Sequence, residues 1–258
     1  MVISEVFPNP LVKQVIFQIR YPNLFFLESK MGDIQVQIMD KFPKSQLLIR
    51  RQLFVADVNG IKDNALPSAD GSIDETARKI WKFSSEESGV ELHIHQDALD
   101  ISSTTHKTYN NENGNPKFRD AISSVLTAFL NTTKIPLIQR IGLRYIDECP
   151  LDNMESLSFR DKFNTCFPLD RFPLEDATDM QFRATIKRDN YSVRYVESIK
   201  SEKEKYKLYL DFDGFASNIN AEKCLETTDE IHNIISQEFE NSIKAPIFDY
   251  MRKKDETK

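Results

Sequence analysis

The chain reads as an α+β protein built from two repeats, each a strand, a short helix, three or four further strands and a long helix. The repeats form one pseudo-twofold antiparallel sheet that the two long helices cover on one face. Three observations predict this. Segments such as Val15-Ile16-Phe17-Gln18-Ile19-Arg20-Tyr21 and Arg140-Ile141-Gly142-Leu143-Arg144-Tyr145 alternate apolar and polar residues, the pattern of half-buried strands. Two later stretches carry apolar residues at helical spacing instead: Phe118, Ile122, Val125, Leu126 and Phe129, then Ile231, Ile234, Ile235, Phe239 and Ile243. Finally, Ile19-Arg20-Tyr21 is echoed by Leu143-Arg144-Tyr145, and Asp40-Lys41-Phe42 by Asp161-Lys162-Phe163 at nearly the same offset. The halves are 1–134 and 135–248, free to share one core, with 249–258 as a frayed tail.

In chain order, Leu11 to Tyr21 is the first strand. After Gly32, the apolar positions Ile34, Ile38, Met39 and Phe42 give a short helix that Pro43 stops. Gln46 to Val55 is a strand, and the polar stretch from Ala56 to Ala77 is a surface loop. Strands follow at Arg78–Ser84, Val90–His95 and Ala98–Thr104, joined by turn residues. Asn115-Pro116 has the form of a helix start, with Asn as cap and Pro in the first turn.

The second half opens with the strand from Pro136 to Cys149. A short helix over Leu157–Phe163 and strands at Met180–Lys187, Tyr191–Ile199 and Tyr206–Asp213 come next. Asp211-Phe212-Asp213-Gly214 reads as a strand end running into a turn. Thr227 with Glu230 three residues on has the form of a capping box for the last long helix, and Pro246 disturbs or ends that helix.

Neighbouring strand residues point to opposite sides. If the helices cover Phe17, Ile19, Leu92, Ile141, Leu143, Leu208 and Leu210, the uncovered face receives Arg20, His93, His95, Arg140, Arg144, Arg183, Lys187, Arg194, Lys207, Tyr209 and Asp211. Gly142, between two arginines, leaves space for a ligand or another backbone to approach. Guanidinium groups bind carboxylates and phosphates through paired hydrogen bonds; equally, they pair with Asp and Glu of adjacent strands.

The composition limits the possible functions. A net charge of −6 disfavours coating of nucleic acid or anionic membrane through bulk electrostatics. No apolar run approaches the roughly 20 residues that a membrane span needs, and the N-terminus lacks the form of a secretory signal. Three widely spaced cysteines, Cys149, Cys166 and Cys224, suit reduced thiols in a cytoplasm. None of the seven glycines forms a dinucleotide or Walker phosphate loop, and there is no GxSxG elbow. His93 and His95 could hold a metal if Asp211 or Asp213 came near.

The leading functional reading is therefore a non-catalytic binding or regulatory protein, without a cofactor. It holds a protein partner on the Arg-rich face through Arg20, Arg140, Arg144, Arg183, Arg194 and Tyr209. Nucleic-acid binding on the same face is the second reading. A metal-dependent hydrolase using His93, His95, Asp211 and Asp213 is the third.

In its order of elements the chain resembles the saddle-shaped fold of the TATA-binding protein and related helix-grip folds. A second resemblance rests on Asn9-Pro10-Leu11-Val12, Ile16 to Arg20, Trp81 with Phe83-Ser84-Ser85, Leu99-Asp100-Ile101, His232, Phe239-Glu240 and above all Arg140-Ile141-Gly142-Leu143-Arg144-Tyr145-Ile146. These residues, spread over almost the whole chain, resemble a sporadically distributed bacterial family of similar length without an assigned activity. Asp147 stands where that family pattern has Asn. The resemblance implies a bacterial cytosolic protein in an accessory or defence system and transfers no catalytic residue.

Overall fold

Among the described residues, nine strands form a single antiparallel sheet in the order β2-β3-β4-β5-β1-β6-β9-β8-β7. The structure, a computed structural model, describes residues 5–51, 77–106, 108–110, 117–149, 151, 154–202 and 205–253. The polar stretch 56–76 and the Asn115-Pro116 helix start lie outside the described residues.

The strands are β1 (Val12–Arg20), β2 (Lys44–Arg51), β3 (Ala77–Ser85), β4 (Val90–Ile94), β5 (Ala98–Ser103), β6 (Leu137–Cys149), β7 (Met180–Arg188), β8 (Tyr191–Glu202) and β9 (Lys205–Asn220). The helices are α1 (Leu27–Ile38), α2 (Phe118–Thr133), α3 (Ser156–Lys162), α4 (Cys224–Ser242) and α5 (Ala245–Arg252). The sheet is centred on β1 and β6, where Phe17 lies opposite Leu143 and Ile19 opposite Ile141, all four fully buried. Burying large apolar side chains stabilises by roughly 1.5–3 kcal/mol each, so alternation fixes which face receives the helices.

The first-half core is built where α2 sets Phe118, Ile122, Val125 and Phe129 against the sheet, with the Tyr21 and Phe129 rings 4.9 Å apart. In the second half α4 crosses β6 and β9, placing Ile231 and Ile235 on the sheet. One contiguous apolar cluster takes residues from both halves.

Several sequence expectations are corrected. Gly32 lies inside α1, which starts at Leu27, rather than ahead of it. Asp213-Gly214 is not a turn: β9 continues to Asn220, with Gly214 opposite Leu143. The glycine is there for the helix above, since a Cβ on Gly214 would sit 2.6 Å from Ile231 Cγ2. Nor does Thr227 cap α4. It lies within the helix, which a 3-10 turn over Ala221–Lys223 leads into, and Asn220 accepts the Glu222 N–H.

Pro246 does not interrupt α4, which ends at Ser242; it occupies the first turn of α5, where a proline lacks nothing. Residues 249–252, read as tail, belong to that helix. Met251 is buried, its carbonyl accepts the Asn9 N–H, and Arg252 pairs with both oxygens of Glu5.

Candidate functional site: the arginine face

Opposite the helices the sheet presents the predicted polar set, and strand register explains how it is arranged. Arg20 and Arg140 stand directly across from one another on β1 and β6, an unfavourable juxtaposition of like charge. Gln18 sits between them, its Oε1 accepting from Arg20 Nε at 3.2 Å and from Arg140 Nη1 at 3.4 Å. Arg140 then turns along its own strand. Its Nη2 donates to both oxygens of Asp213, at 3.0 and 3.1 Å, and its guanidinium covers the Phe215 ring at 4.7 Å.

Gly142 makes that path possible, because a Cβ there would meet Arg140 Nη1 at 2.6 Å. The space expected to admit a ligand is thus filled by the chain's own arginine. Arg194 from β8 donates to Asp213 from the other side at 2.6 Å. Arg144 makes a two-pronged pair with Asp211, Nε to Oδ1 at 2.7 Å and Nη2 to Oδ2 at 2.6 Å. This hydrogen bond holds the Arg144 pKa above its ordinary value. Three of the six proposed contact residues are therefore held by two carboxylates of β9, and Asp213 is only 8% exposed.

Of the other three, Arg20, on the central strand β1, stands beside Arg140, Tyr209 is on β9 and Arg183 is at the sheet edge. Arg20 and Arg183 are exposed, Arg183 on the outermost strand β7, and Tyr209 reaches Glu148 at 3.4 Å with Lys200 over its ring. Glu148 also pairs with Lys13 and Lys207.

The four metal candidates are not brought together. His93 is on β4 and His95 just past its end, Asp211 and Asp213 are on β9, with β5, β1 and β6 between, a separation of roughly 19 Å at the usual strand spacing. His95 instead faces Asp100 at 3.3 Å, and Asp100 accepts from Gln18 at 2.5 Å. Burial lowers the His93 pKa. Among the described residues no group of three or more His, Cys, Asp or Glu is placed to hold a metal ion.

A second polar cluster, on the helix side, could not be assembled from the sequence. Asp229 of α4 accepts two hydrogen bonds from Arg119 of α2, both at 2.7 Å, and one from Tyr109 at 2.8 Å. The Tyr109 ring stacks on His232 at 4.1 Å, and His232 Nδ1 lies 3.3 Å from the Tyr145 hydroxyl of β6. Burial pushes His232 down to about 4, against the pull of Asp229, so the ring is neutral. The only sequence signal was helical spacing, which sets Asp229 and His232 three residues apart on one side of α4.

The sheet also buries two carboxyls on the helix side. Glu197 accepts from Thr165 Oγ1 at 2.6 Å and from Cys166 N at 2.9 Å, and burial raises its pKa. Asp147, 3% exposed, is pushed up to about 7 by burial and by neighbouring Asp211. Cys149 and Cys224 are buried and Cys166 is at the surface, all three as free thiols.

Among the described residues no helix is long and apolar enough to cross a membrane. The chain matches no protein-family profile, no curated protein and no solved structure.

Proposed function

We propose that the chain is a non-catalytic binding protein that holds a protein partner on the arginine face. The supporting observation is the way Asp211 and Asp213 fix Arg140, Arg144 and Arg194. Carboxylates hold these guanidinium planes in place before a partner arrives, which reduces the ordering cost of binding. They also balance the charge. A polyphosphate needs uncompensated cations, so charge-matched arginines favour a protein surface of mixed charge over nucleic acid. Phe215 under Arg140 and Tyr209 under Lys200 add the aromatic surface that protein interfaces favour.

The setting proposed is the bacterial cytosol, in an accessory or defence system. We also infer that the two halves are structural repeats in the TATA-binding-protein order. Support comes from β2-β3-β4-β5-β1 on one side and β6-β9-β8-β7 on the other, each half laying its first strand beside its last. An experimental structure in which β1 and β5 failed to superpose on β6 and β9 would refute this.

The function is tested by affinity capture from the native host, with the Arg20→Glu/Arg183→Glu chain as comparison bait. Those two arginines lie outside the Asp211 and Asp213 pairs, so the fold is retained. The expected result is a stoichiometric protein that stays bound at about 0.5 M salt and is lost from the variant. A companion destroyed by nuclease and released steeply as salt rises would establish the nucleic-acid reading instead.

A further inference from the structure

Strand β7 ends the described sheet, and among the described residues only β8 pairs with it. All of its residues, Met180 to Arg188, are described. The hairpin that joins it to β8 fixes which of its backbone groups are left over. Asp189 and Asn190 make a two-residue turn between the paired residues Arg188 and Tyr191, with Asp189 at φ 52°. Such a turn closes on a pair that exchanges both hydrogen bonds, and bonded and non-bonded pairs then alternate along the antiparallel ladder. Met180, Phe182, Ala184, Ile186 and Arg188 therefore bond β8, whereas Gln181, Arg183, Thr185 and Lys187 point N–H and C=O away from the sheet. Among the described residues no backbone group bonds this outer row, and Arg188 Nη1 reaches the Lys187 carbonyl only at 3.4 Å.

The side chains of β7 sort in the same way. Gln181, Arg183, Thr185 and Lys187 are exposed on the arginine face, with Arg194 of β8 opposite Thr185. Arg140, Arg144 and Arg194 are matched by Asp211 and Asp213, but Arg183 and Lys187 have no carboxylate partner among the described residues. On the helix side Phe182, Ala184 and Ile186 are only partly buried, and Arg188 is paired with Glu238 of α4. The edge thus carries unmatched positive charge on one face and apolar side chains still partly in water on the other.

We propose that β7 takes up an extended segment of a protein partner as an additional strand, one that alternates acidic and apolar residues. This rests on the arginine face being a protein-binding surface, and it names the part of the partner that β7 holds. The added strand pairs its backbone with Gln181, Arg183, Thr185 and Lys187. Its acidic side chains meet Arg183 and Lys187, and its apolar ones extend the row of Phe182, Ala184 and Ile186. The repeat of the edge selects a peptide over nucleic acid. Each outward residue offers a donor and an acceptor together, about every 6.8 Å, and a phosphodiester linkage has only acceptors to return. Lysine and arginine along an edge strand usually repel other strands. Here that repulsion acts on basic segments and becomes attraction for acidic ones, so the same residues protect the edge and select its guest.

The test uses the full chain and a synthetic peptide of about eight residues alternating valine and glutamate, with a valine and lysine peptide as control. Anisotropy of the labelled peptides reads binding, and amide hydrogen exchange locates it. The acidic peptide should bind at least roughly tenfold more tightly than the basic one and slow exchange at Arg183, Thr185 and Lys187. Thr185→Pro removes one outward N–H where an edge strand tolerates proline, so it should keep the far-ultraviolet spectrum and weaken binding roughly tenfold or more. Arg183→Glu/Lys187→Glu leaves the backbone intact and should reverse the preference between the peptides; it decides the matter if the proline variant unfolds. Equal affinity for both peptides, no binding of the acidic one at about 1 mM, or protection elsewhere than β7 would overturn the proposal. So would binding unchanged in either variant. Capture of the same host protein by the Thr185→Pro chain as by the native chain would overturn strand addition and leave the protein-binding face intact. A native chain that captures no protein would remove that face's function, with the peptide measurement still deciding the strand site.

Discussion

Gly214 of β9 lies beneath Ile231 of α4 so closely that a Cβ on the glycine would stand 2.6 Å from Ile231 Cγ2 and 3.0 Å from Ile235 Cδ1. The helix rests on bare backbone. Gly142 of β6 faces the other way, and the three atoms nearest its notional Cβ all belong to the mobile end of Arg140.

These two glycines should respond differently to the same substitution. Gly214→Ala forces α4 away from the sheet and should cost about 1–3 kcal/mol, the usual penalty of overpacking. Gly142→Ala displaces a flexible guanidinium and should cost under about 1 kcal/mol. Urea denaturation of both variants measures the difference; equal losses would mean that α4 does not rest on Gly214.

Asp213 joins two arginines. Asp213→Asn keeps the shape and removes the charge, leaving Arg140 and Arg194 to repel one another across a neutral amide. The expected loss is about 1–3 kcal/mol, in the range for hydrogen bonds to charged groups. Because repulsion between partly exposed cations is screened, the gap from the native chain should narrow between about 50 mM and about 0.5 M salt. A salt-independent gap would show that packing, not charge, sets the cost.

His232 should make the fold sensitive to acid. Its folded pKa, about 4, lies below the ordinary value of 6.5, so the unfolded chain binds a proton first as pH falls. The stability it contributes is complete above about pH 6.5 and is lost toward pH 4, by roughly 3 kcal/mol. His232→Gln should flatten this part of the stability profile in chemical denaturation at stepped pH. An unchanged slope would assign the acid sensitivity to other groups.

Asp147 should act in the opposite direction. Its carboxyl, raised to about 7, holds a proton in the folded chain that the unfolded chain has already released. The fold therefore loses stability as pH rises from about 4 through 7. Asp147→Asn should raise the melting temperature at about pH 8 and have little effect near pH 4, an outcome read by calorimetry. Equal melting temperatures at the higher pH would mean that Asp147 ionises without penalty.

Face assignment was legible because burial imposes a period of two: Phe17, Ile19, Ile141 and Leu143 are inside, and Arg140 and Arg144 outside. The partners of those arginines were harder to read. Asp211 was placed on the same face, but Asp213 was assigned to a turn because Asp-Gly satisfies turn chemistry as readily as the need for a helix to approach the strand. The start of α4 was misplaced similarly, since Thr227 and Glu230 have capping spacing but occupy the helix interior. The cluster around His232 draws Tyr109, Arg119, Tyr145 and Asp229 from separate parts of the chain, and only tertiary packing determines that they meet.

The clasp between Glu5 and Arg252 brings the two ends of the described chain side by side, while a three-residue link from Thr133 to Leu137 is all that joins α2 to β6. Circular permutation should therefore be tolerated: connecting the ends through a short linker and opening the chain at Lys134–Pro136 would exchange the order of synthesis without disturbing β1 against β6. The same cut, made with no linker, would yield two fragments whose reassembly reports the strength of that central seam.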